Sequence, residues 1–108
     1  MKFCSLYSGS SGNSIFIASD NAKVLIDAGL AGKKIDDALK HIGEESSSID
    51  GIFITHEHID HIKGVGVLSR KYDIPIYAND NTWAVMEKNI GISYFLDKTP
   101  TPFIKKVW

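Results

Sequence analysis

The chain has 108 residues, 44% of them hydrophobic and 23% charged, with a formal net charge of −1. That suits one small globular domain; it is too short for a two-domain enzyme and too apolar for a disordered tail. No apolar run approaches the ~20 residues that cross a bilayer, Met1-Lys2-Phe3-Cys4 leads into polar residues rather than a signal-peptide core, and a lone cysteine makes no internal disulfide. A cytoplasmic protein with a free thiol and no membrane partner is expected.

Charge is unevenly spread. Residues 1–60 hold 5 basic and 9 acidic side chains, and residues 61–108 hold 7 and 4. The first half favours cations and the second polyanions, both weakly.

Lys2 to Tyr7 reads as a first strand, and Ser8-Gly9-Ser10-Ser11-Gly12-Asn13-Ser14 as a tight polar hairpin turn. That turn lacks the Gly-Lys-Ser/Thr ending of a phosphate loop, no helix follows it, and neither Ser10 nor Ser14 has a triad to make it a nucleophile. Ile15-Phe16-Ile17 and Val24-Leu25-Ile26 follow as strands, and their unbroken branched runs suggest cover on both faces. Cys4 fits the core better than a catalytic role.

The period then changes. Ile35, Ala38, Leu39 and Ile42 form one helical stripe that Gly43 ends. His41, in its last turn, suits a cation at a helix C-terminus. After the polar loop 44–48, Ile52-Phe53-Ile54 is a buried strand. Ile62, Val65, Leu68 and Tyr72 give a second stripe, weakened by Gly64 and Gly66. Ile74 to Ala78 is a short strand. Asn79 or Asp80 caps a helix to about Asn89, with Gly91 its stop. Tyr94-Phe95-Leu96 is a last strand, and Phe103 to Trp108 begin another apolar pattern. Tyr77 and Trp83 read as core rather than as base-stacking surfaces. The order of elements is α/β and layered.

Chemistry concentrates in Thr55-His56-Glu57-His58-Ile59-Asp60-His61, which holds three of the four histidines and two acids directly after a buried strand. Imidazole and carboxylate suit zinc and similar ions, and open α/β sheets hold ligands at that strand end. His56 and His58, two apart, project to one side of an extended backbone, away from Glu57 and Ile59, and can share one metal. Asp60 and His61 stand at the turn into the next helix and can hold a second. This is not the helical HExxH pattern. Asp27 leaves the strand Val24 to Ile26 and is expected to accept hydrogen bonds from the histidine loop, orienting its rings, rather than to bind metal itself.

His56-x-His58-x-Asp60-His61 after Ile-Phe-Ile resembles the HxHxDH signature of the metallo-β-lactamase-fold hydrolases. With the turn 8–14, Leu25-Ile26-Asp27-Ala28-Gly29-Leu30, Arg70-Lys71-Tyr72 and Pro75-Ile76-Tyr77-Ala78, the likeness narrows to the bacterial WalJ (YycJ)-like branch and covers residues 3–90. It implies an αββα sandwich with a metal site at one edge of its two sheets. Two divalent ions would be bound, zinc foremost, with manganese or iron as alternatives. His56 and His58 would hold one, and Asp60 and His61 the other. The implied activity is DNA-processing exonuclease chemistry on a nucleic acid substrate, with Asp60 also orienting the attacking water or protonating the leaving oxygen. A small thioester, lactam or lactone is the alternative substrate. Family members take a third histidine, a bridging aspartate and a final histidine from later segments, whereas no histidine follows His61. Residues 1–108 are therefore expected to be a single partial domain, the N-terminal half of that sandwich, which is either impaired or catalytically inactive alone and prone to self-association through an open sheet face.

Overall fold

The computed structural model describes residues 1–9, 12–56, 58–86 and 105–107. Six strands form one mixed sheet in sequence order: β1 (Lys2–Tyr7), β2 (Ser14–Ala18), β3 (Lys23–Ile26), β4 (Gly51–Phe53), β5 (Ile76–Ala78) and β6 (Lys105–Val107). The first three pair antiparallel through short turns, and β3 to β6 run parallel. Parallel neighbours need a crossover. Helix α1 (Gly32–His41) makes the one from β3 to β4, and α2 (Ile59–Ile62) with α3 (Val65–Tyr72) make the one from β4 to β5. Residues 80–86 are helical. Asn79 caps that helix, its Oδ1 accepting the Thr82 N–H at 2.8 Å. The expected run to Asn89, the stop at Gly91 and the strand Tyr94 to Leu96 lie outside the described residues.

Register settles which side chains share a face. Phe16, Leu25, Ile52 and Ile76 stand opposite one another across β2 to β5 and are fully buried. They form one core with Ile35 and Leu39 of α1, Val65 and Leu68 of α3, Trp83 and Met86. Each such side chain contributes roughly 1.5–3 kcal/mol by leaving water. Cys4 packs half-buried against this core, in line with a structural role.

The expectation of cover on both faces is corrected here. Phe3, Ile17 and Val24, and beside them Ile15, Ile26, Phe53 and Tyr77, share the opposite face, and none of them is buried. The β2 pattern alternates buried and half-buried residues, because the described helices pack on one side only. Unbroken apolar runs do not distinguish a strand covered twice from one covered once.

The second helical stripe is also corrected. It is split at Lys63-Gly64 into α2 and α3, although Ile62, Val65 and Leu68 are all buried. A Cβ on Gly64 would lie 2.2 Å from the Leu30 carbonyl oxygen, and the Gly64 N–H donates to Ala28 O at 2.7 Å. The chain breaks its helix there to press against the segment after β3, which draws the histidine loop onto Asp27.

Candidate metal centre

The site forms at the C-terminal ends of β3 and β4. Asp27 follows β3 with φ +64°, a left-handed conformation uncommon for residues other than glycine. Its N–H continues the ladder to Phe53 O at 2.8 Å, so the backbone turns only after the pairing is complete. Ser14 Oγ donates to the Asp27 carbonyl at 2.8 Å. The carboxyl, almost wholly buried, accepts three hydrogen bonds. These come from the Thr55 N–H at 2.8 Å, Thr55 Oγ1 at 2.6 Å and His61 Nδ1 at 2.7 Å.

These contacts decide the histidine tautomers. Thr55 has one hydroxyl proton, and the Asp27 carboxylate accepts it. His56 Nδ1, 2.9 Å from Thr55 Oγ1, must then be the donor in that contact. His61 Nδ1 donates to Asp27. In the neutral ring this places the lone pair on Nε2, the form in which a histidine held by an outer partner binds a cation. The two rings stand side by side, their centroids 4.8 Å apart.

Asp27 thus braces the loop as the sequence predicts. Thr55, given no role by sequence reasoning, links Asp27 to His56. Its only signal was a hydroxyl residue at the strand end, next to the histidines. His58 stands farther off, with its ring centroid 6.4 Å from that of His56, and both rings are exposed. Asp60 lies in the first turn of α2, and its side chain and Glu57 are outside the described residues. Among the described residues no three histidine, cysteine or carboxylate groups are grouped to hold one ion. The donor chemistry of His56 and His61 nevertheless fits a divalent ion such as zinc, because the Nδ1 contacts orient both rings and leave each Nε2 as the ligand atom of the neutral imidazole. His41 is exposed in the last turn of α1, away from this loop.

A layered mixed sheet carrying a histidine loop at the end of β4 defines a metallo-hydrolase-type fold, and the chain belongs to the metallo-beta-lactamase superfamily, whose family model matches residues 7–107. It is 50% identical over 91 residues to the exodeoxyribonuclease YycJ of Bacillus anthracis, a match that takes in 84% of this chain and 34% of that protein. It is 52% identical over 88 residues to the exodeoxyribonuclease WalJ of Streptococcus pneumoniae (82% of this chain, 33% of the relative). The chain spans about a third of the length of these relatives. Among solved structures, the short form of human tRNase Z superposes with a TM-score of 0.72 at 20% identity, over 99% of this chain and 43% of that one, a likeness of fold alone.

Proposed function

We propose that this chain is the metal-binding part of a hydrolase that cleaves nucleic acid phosphodiester bonds, working as an exonuclease on DNA. One observation carries the reading: the Asp27–Thr55–His56 and Asp27–His61 contacts orient two imidazoles for cation binding. The similarity to two exodeoxyribonucleases supports the substrate class.

His56 with His58, and His61 with Asp60, would hold two divalent ions, zinc foremost. Bound ions would stabilise the charge that develops on the phosphoryl oxygens. Asp27 holds His61 in the Nδ1–H tautomer, and Thr55 does the same for His56. Asp60 would orient the attacking water and accept its proton, which then passes to the leaving oxygen. A P–O bond forms to the water oxygen, the P–O ester bond breaks, and the departing oxygen takes the proton.

No helix among the described residues is long and apolar enough to cross a membrane. The setting we propose is cytoplasmic, where a free thiol such as that of Cys4 persists.

The test is an end-labelled DNA digestion by the full-length protein with zinc or manganese, with and without chelator. Chelator-sensitive release of nucleotides from an end is expected, abolished in His56→Ala. No cleavage of any DNA or RNA end, with turnover of a thioester, lactam or lactone instead, would replace this reading by the small-ester one. Inertness of the full-length protein on every substrate would overturn the hydrolase reading.

A further inference from the structure

Charge is uneven along the sequence, and the fold gathers part of the basic share on its helices. Residues 32–41 and 63–72, which hold α1, the joint after α2 and α3, carry six lysine and arginine side chains against two carboxylates, Asp36 and Asp37. A cleft of about 370 Å³ lies between α1 and α3, lined by Lys33 and Lys40 from the first and by Val67, Leu68 and Lys71 from the second. The two carboxylates line it too, on unequal terms. Asp36 is held within the fold: Ser46 Oγ donates to Oδ1, Tyr72 Oη donates to Oδ2 at 3.0 Å, and Lys71 Nζ stands 3.8 Å away. Asp37 is exposed and offsets one charge. Lys33 and Lys40 are exposed and have no ion-pair partner among the described residues.

Local electrostatics account for Lys40 and Lys71, each in the last turn of its helix, where the macrodipole favours cations. They do not account for Lys33, at the positively polarised start of α1, where the first turn has no acidic side chain. A cation kept there, in a cleft with two more, suits an external anion. Size selects which one. Lys33 and Lys40 are seven positions apart, about 10 Å along the helix at ~1.5 Å per residue. That spans roughly three phosphates at the ~3.4 Å axial spacing of one nucleic acid strand, a fit for a backbone rather than for a single phosphate. The cleft also begins beside the metal loop. A Cβ on Gly64 would lie 3.2 Å from Gly32 N, so the joint that follows His61 abuts the first residue of α1, with exposed Lys63 at the junction. We propose that the cleft between α1 and α3 is a track for the phosphodiester backbone of a DNA strand whose end lies at the metal loop, with Lys33, Lys40 and Lys71 pairing with successive phosphates. That the polyanion is DNA rests on the nuclease reading; the placing of the cations does not.

The test is binding of a dye-labelled single-stranded oligodeoxynucleotide, its terminal linkages made phosphorothioate to resist cleavage, to the zinc-loaded full-length protein. Fluorescence anisotropy is read over a range of salt. Lys33→Gln and Lys40→Gln are each expected to weaken binding severalfold. Each should also make log affinity against log salt shallower by about 0.7, the share of one phosphate on a single strand. Asp37→Asn, which removes the opposing charge, is expected to tighten binding. In the wild type, bound DNA is expected to protect Lys33, Lys40 and Lys71 from acetylation, read by mass spectrometry, a measure that needs no variant. Unchanged affinity and slope in a folded Lys33→Gln/Lys40→Gln double variant, or absence of protection, would overturn the proposal, as would a cleft that takes an RNA strand but no DNA. Lysine-dependent DNA binding by a wild type that cleaves no nucleic acid end would sink the nuclease reading and leave the track in place. DNA digestion by the wild type, with wild-type salt dependence in the double variant, would do the reverse.

Discussion

Asp27 does its work by accepting only. Its Oδ2 takes protons from both Thr55 Oγ1 and His61 Nδ1, while Oδ1 takes the Thr55 N–H. In Asp27→Asn, keeping Oδ1 on the Thr55 N–H turns an NH₂ toward His61. The ring must then give up its Nδ1 proton and carry it on Nε2, where the cation should bind. Zinc affinity is expected to drop about 10–100-fold, the usual cost of losing an outer partner of a metal-binding histidine, as read by calorimetry. Glu44 shows the same economy in a structural place. Hydrogen bonds from Lys23 and Lys2, each at 2.9 Å, hold its carboxyl below the usual carboxylate range. A depressed folded-state value adds stability that is present above the ordinary glutamate range, near pH 4.3, and lost as the pH falls through the lower folded value. Both lysines are well exposed, so Glu44→Gln should cost only about 1 kcal/mol at pH 7. Urea midpoints of variant and wild type should differ at pH 7 and converge in acid.

The connection from β4 to β5 shows how an element boundary builds the site. Gly64 separates α2 from α3 because its backbone meets the Leu30 carbonyl, at a distance that leaves no room for a side chain. The Ala28 N–H donates to His61 O at 2.9 Å across the same contact, so helix break and metal loop are one joint. Gly64→Ala should destabilise the fold by about 3 kcal/mol through overpacking against backbone, and should weaken zinc binding too, because His61 would move off Asp27. Denaturant melts and zinc titration on one sample would show both losses together. A variant with lowered stability but wild-type zinc affinity would separate the joint into two independent features.

Across the molecule, the sheet divides its apolar residues between a helix-covered face and one without described cover. Phe3, 67% exposed, lies level with Ile17 and Val24, and Phe53 stacks on Tyr77 with centroids 4.5 Å apart. Apolar surface of this breadth seeks a partner. The isolated 108 residues are expected to self-associate through it, with a weight-average mass by light scattering that rises with concentration. Ile17→Glu, pointing a charge out of that face, should return the chain to monomer without moving the core.

The elements were legible because their periods are local: Phe16 and Leu25 announce strands, and Ile35 with Leu39 a helix, whatever lies beside them. The histidine cluster was legible because its groups are adjacent in sequence, and Asp27 because a carboxylate at a strand exit is a ready acceptor. Beyond Asp27's acceptance of hydrogen bonds from the histidine loop, contact between distant segments was not legible. The bridging of Asp27 to His56 by Thr55 and the break at Gly64 each join segments that are far apart along the chain. Such contacts leave no periodicity and depend on strand order, register and the left-handed turn at Asp27. The residue types and their local spacing therefore determined the chemistry on offer; the packing of β3's exit against the histidine loop alone decided which nitrogen of each ring is left to use it.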